Sequence, residues 1–160
     1  MKNILIIVLF INICFTENEN IVNILEWDTS GSFGFLSEKN PVSIIEFSGL
    51  YNLDKQSEYY VSLGSMLFAS GIGCGYKYYF QSKYTNSLFI SFGTFLSHLG
   101  TADDTGLTIY GFSLSPGYSI IKHEELFLGK KNAINIGLSL MYMGDSSIGA
   151  FPYINIEKRF

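Results

Sequence analysis

Helix-period patterning is missing from this chain after residue 16, and no apolar run is long enough to cross a bilayer as a helix. Together these absences exclude a helical bundle and a helical membrane protein. Cysteine is almost missing as well: Cys14 and Cys74 are the 2 present, too few for a disulfide framework. The 2 histidines, His98 and His123, are far apart and form no clustered metal site, and no cofactor is implied. Lys and Arg total 10 against 14 Asp and Glu, a net charge of -4 with no basic run, which argues against a nucleic-acid partner.

What is present is Gly (16), Phe (14) and Tyr (11), arranged with a period of two. From Ser30, Phe33 and Phe35 alternate with Ser32 and Gly34. Over 42–51, Ile45, Phe47 and Tyr51 oppose Ile44, Glu46 and Ser48, with a less clean phase. Tyr59, Val61 and Leu63 then alternate with Tyr60, Ser62 and Gly64, and Ile72, Cys74, Tyr76 and Tyr78 with Gly71, Gly73, Gly75 and Lys77. Three further runs follow the same rule, around Leu88 to Leu96, Thr108 to Ile120 and Ile134 to Tyr142, and residues 148–160 make an eighth. A soluble sandwich would set Lys, Glu, Thr and Gln opposite the bulky parity, whereas here it is Gly and Ser. Small residues suit the interior of a narrow barrel whose bulky parity meets lipid. Several runs reach the roughly ten residues that a tilted strand needs to span a bilayer. The expected fold is therefore all-β, an eight-stranded antiparallel up-and-down transmembrane β-barrel over 30–160.

The last run, IGAFPYINIEKRF, sets Ile154, Ile156 and Phe160 on one parity and Asn155, Glu157 and Arg159 on the other. It resembles the closing strand of small bacterial outer-membrane β-barrels, where alternate residues are apolar and the last is usually Phe. The resemblance implies an outer-membrane location in a Gram-negative envelope, contact with membrane lipid, insertion by the barrel assembly machinery, and a monomer. Lys158 departs from the pattern by standing on the apolar parity. Pro152, on that same parity, implies a bulge or a local irregularity, because it gives no backbone donor. The other end of the chain fits this compartment: a weakly basic start, the apolar run 4–11 and the acidic stretch after Thr16 have the layout of a secretory signal peptide over 1–16. Residues 17–29 then form a polar lead.

With an even strand count, both termini lie at one end of the barrel. The connections near 37–41, 69–70, 98–106 and 144–147 face outward, and those near 53–58, 81–86 and 121–131 face the periplasm. Tyr59, Tyr60, Tyr76, Tyr78, Tyr79, Tyr110, Tyr118, Tyr142, Tyr153 and Trp27 fall near run ends, where an interfacial aromatic girdle would place them.

Chemistry is sparse. Ser97, His98 and the acids Asp103 and Asp104 hold the residue types of a nucleophilic triad but no motif that assembles one, so the stretch reads as an acidic surface loop and a surface-site candidate. Glu46, Lys77, Glu157 and Arg159 are the charges that can point inward, and the cost of an isolated buried charge implies that they form interior ion pairs. The expectation is a small barrel with a structural or surface-interaction role and no identified chemistry. The alternatives are a narrow channel or carrier for small apolar molecules, a soluble periplasmic binding barrel, and a lipid-modifying outer-membrane enzyme.

Overall fold

Period-two alternation becomes a closed wall. In a computed structural model, residues 27–66, 69–100, 106–122, 131–144 and 147–160 are described. They form β1 (Trp27–Phe35), β2 (Ile45–Asn52), β3 (Ser57–Met66), β4 (Ala69–Tyr79), β5 (Ser87–Leu99), β6 (Leu107–Lys122), β7 (Lys131–Met143) and β8 (Ile148–Arg159). Every strand pairs antiparallel with its sequence neighbours, and β8 closes on β1, with Phe33 opposite Ile156. β1 starts at Trp27, ahead of Ser30. The segment 1–26, with the leader and most of the polar lead, lies outside the described residues, as do 101–105 and 123–130.

The register sets how wide the barrel is. Successive partners run from Thr29 through Gly49, Val61, Cys74, Thr94, Phe112 and Tyr142 to Ile148. Extending the β1–β8 register, in which Ser30 faces Arg159 and Phe35 faces Ile154, sets position 41 opposite Ile148, twelve residues beyond Thr29. At fixed strand number, a stagger this large tilts the strands strongly and widens the bore. An eight-stranded α/β barrel has a smaller stagger, and its strand side chains alone fill it. Here there is room for more.

The bulky parity faces out. Phe33, Phe47 and Leu63 are 62%, 65% and 61% exposed, while Ser62, Lys77, Ser91, Asn135 and Glu157 of the opposite parity are buried. Three tyrosines expected in the girdle, Tyr60, Tyr79 and Tyr153, are instead inside. Two of them lie over glycines: a Cβ at Gly93 would meet the Tyr60 hydroxyl, and one at Gly117 or Gly137 the Tyr153 hydroxyl. The bare inner parity is thus the floor on which large aromatics lie.

Residues 36–44 do not form an outward turn. Had β1 and β2 continued, their outward positions would have fallen on Ser37, Lys39, Pro41 and Ser43, in place of the Phe and Ile that precede and follow. The wall therefore stops short there, and Leu36, at φ 61, turns the chain into the lumen. A left-handed leucine costs about 1 kcal/mol, offset by its packing against the Tyr79, Phe89 and Tyr153 cluster. Ser37, Glu38, Lys39, Asn40 and Ser43 are all buried. β3 and β4 are cleared for them: a Cβ at Gly73 would strike the Lys39 carbonyl and one at Gly64 would strike Ser43.

Pro152 causes no bulge. The β7–β8 register runs unbroken through the pair Leu138 and Pro152. Phe160, of the same parity, donates its N–H to Thr29 of β1 at 2.9 Å, so the even positions of β8 aim their donors at β1. The ladder with β1 ends at Ile154. Pro152 therefore stands where no bond to a neighbouring strand was to be made.

Candidate functional site

Alternation along β8 sends Glu157 and Arg159 into the lumen together, at the end where β1 starts and β8 finishes. Arg159 forms a two-pronged pair with Glu58 of β3, Nη1 to Oε2 at 2.9 Å and Nη2 to Oε1 at 3.0 Å. Its Nη2 also reaches the Tyr79 hydroxyl at 3.0 Å, and that hydroxyl donates to Glu58 at 3.2 Å. Planar fork-to-carboxylate geometry makes this one of the strong classes of charge-assisted bonding. Beside it, Lys83 from the β4–β5 turn donates to Asn52, and Asn52 donates to Asp28 at 2.9 Å. This end is closed by groups carried on the wall and its turns.

The middle of the lumen is closed by 36–44. Glu38 takes the Lys77 ammonium at 2.6 Å, the Asn155 amide at 2.7 Å and the Asn135 amide at 3.4 Å. Lys39 lies 3.2 Å from Glu157 and 3.4 Å from the Ser30 hydroxyl. Lys77 also sits 4.0 Å over the Phe89 ring, which adds cation–π attraction to its ion pair. Buried charges are costly unless paired, and Glu38, Glu58 and Glu157 here interleave with Lys39, Lys77 and Arg159.

Of the four charges expected inside, the fold brings three together. Arg159 is 3.2 Å from Glu157, and Lys77 is 3.9 Å from it. Glu46 stands apart and meets hydroxyls, Ser48 at 2.9 Å and Ser43 at 3.4 Å. Sequence reasoning missed Glu58, although it shares the parity of Tyr60 and Ser62 and was legible on that ground. It also missed Glu38 and Lys39, which have no periodic signal because they belong to no strand.

His98 belongs to β5, where it faces outward and shares a 3.2 Å hydrogen bond with Thr108. Ser97 points into the lumen and is fully buried. Neighbours in a strand face opposite sides, so Ser97 and His98 cannot form a nucleophile and base. Asp103 and Asp104 lie outside the described residues. Among the described residues, no group of three or more His, Cys, Asp and Glu could hold a metal ion.

The lumen can therefore exclude water and hold a carboxylate among fixed donors. Comparison with protein-family models, curated proteins and solved structures found no match.

Proposed function

We propose that this chain is a small outer-membrane β-barrel with a structural or surface-interaction role, its lumen shut in the state described. The observation that carries the reading is the inverted distribution of polarity. The wall's outer face is apolar all round, with Phe33, Leu63, Phe92, Phe112, Ile136 and Ile156 each at least 44% exposed, while the ion pairs are inside. A soluble monomer rarely exposes a contiguous apolar patch beyond a few hundred Å², and hydrocarbon is the solvent in which such a face costs nothing. A closed barrel also pairs its backbone internally, as a bilayer requires. On this reading the terminal strand with Phe160 is the segment that the barrel assembly machinery would engage. Carriage of apolar molecules gains no support from a lumen lined by charged groups and amides. Catalysis gains none from the separation of Ser97 and His98.

Fractionation with heat-modifiable migration tests the reading. Expressed in a Gram-negative host, the protein is expected in the outer-membrane fraction, migrating differently in gels with and without boiling. Recovery in the soluble periplasm alone overturns it.

A further inference from the structure

The lumen holds the Glu38 carboxylate among donors carried by the wall. Three donors converge on the Glu38 carboxylate from three different strands: the Lys77 ammonium of β4 at 2.6 Å, the Asn155 amide of β8 at 2.7 Å and the Asn135 amide of β7 at 3.4 Å. Lys77, Asn135 and Asn155 are at most 2% exposed. Their strands are held by continuous ladders that do not involve 36–44, so the wall sets the geometry of the donors, whoever fills the space between them. The ammonium supplies charge to one oxygen and the Asn155 amide addresses the other, a donor set matched to a planar carboxylate, while the Asn135 amide, 3.1 Å from both Asn155 Oδ1 and Glu157 Oε2, braces the site.

The carboxylate is held differently from its donors. Glu38 arrives on a segment outside every strand, gripped by polar contacts: the Lys39 carbonyl near Ser62 at 3.5 Å, Lys39 on Glu157, and the Ser43 hydroxyl back on the Asn40 carbonyl at 2.8 Å. Water can replace the two hydroxyl–carbonyl contacts at modest net cost, because each exchanges one hydrogen bond for another, and Glu157, on losing Lys39, keeps Arg159 at 3.2 Å and Lys77 at 3.9 Å. We propose that this site binds a small molecule bearing one carboxylate on a short aliphatic stem, with Glu38 an intramolecular occupant that the ligand displaces. The inference goes beyond the proposed role, and it depends on the interior of the barrel rather than on the membrane around it.

Chemical rescue tests it on the full-length protein in detergent micelles. Glu38→Gly removes the atoms of one propionate, so sodium propionate is the probe and sodium chloride at equal ionic strength the control. Propionate is expected to raise the thermal midpoint of Glu38→Gly by several degrees, saturably and beyond chloride, and in the wild type, at higher concentration, to open Lys39 to trypsin as Glu38 leaves the site. Adding Lys77→Met to Glu38→Gly is expected to abolish the response. Equal responses to the two salts, a wild type that trypsin leaves uncut at Lys39 at every propionate concentration, or failure of Glu38→Gly to fold in either salt overturns the proposal.

Discussion

The two levels of the lumen are sealed by different means. At the end where β1 starts and β8 finishes, the seal is Arg159, Glu58 and Tyr79, groups on three strands whose positions follow from register. In the middle, the seal is 36–44, a stretch that pairs its charges with the wall but contributes no strand to it. The same chemistry, carboxylate against cation, serves both. What differs is the backbone behind it: loss of the first seal requires the wall to come apart, whereas loss of the second requires only that one connection leave the bore.

That difference is broken or sharpened by substitution. Arg159→Ala strands the Glu58 carboxylate in a buried place, and removing one partner of a buried pair costs about 3–5 kcal/mol. Urea unfolding of the refolded protein is expected to show a loss of that size, and a loss no larger than those of the substitutions below would make the two seals equivalent. Gly73→Val drives a side chain into the Lys39 carbonyl, and overpacking of this kind costs about 1–3 kcal/mol. Because β4 is held on both sides, the segment yields first. Trypsin is then expected to cut after Lys39 in a barrel that still migrates as folded, while the wild type stays uncut there.

The smallest effect belongs to the turn below the first seal. Asp54 accepts the backbone N–H groups of Gln56 and Ser57, each at 2.6 Å. The Gln56 bond foremost, with Ser57, holds its carboxyl below the usual carboxylate range. A lowered folded pKa favours the charged form, so its stabilisation is complete above the ordinary carboxylate pKa and is lost as pH falls through the lowered one. The group is solvent-exposed, which discounts the value of its hydrogen bonds to about 0.5 kcal/mol. Asp54→Ala is expected to lose that much at neutral pH and to converge with the wild type in acid, read from paired urea midpoints. A constant gap across the acid range would count against this role.

How much was legible follows from which residues sit in strands. Lys77, Glu157 and Arg159 were readable as inward because alternation assigns a side to every residue of a strand. Tyr60 and Tyr79 shared that inner parity, so their place in the lumen was available from the pattern even though their type suggested a girdle. Pro152 misled because sequence gives no sign of which side of β8 has a neighbour at that height. Glu38 and Lys39 were not legible: composition marks 37–41 as a turn but not the direction in which it folds.

The alternating runs by themselves determined a sheet of about eight strands with one bulky and one small face, since the pleat sends successive side chains to opposite sides. Tertiary structure decided how the sheet closes and what fills it. The stagger around the barrel is a sum over eight pairings, and that sum sets whether the bore is wide enough to admit 36–44. No local stretch contains it, and the interior depends on it because bare glycine faces leave a void that some part of the chain must fill.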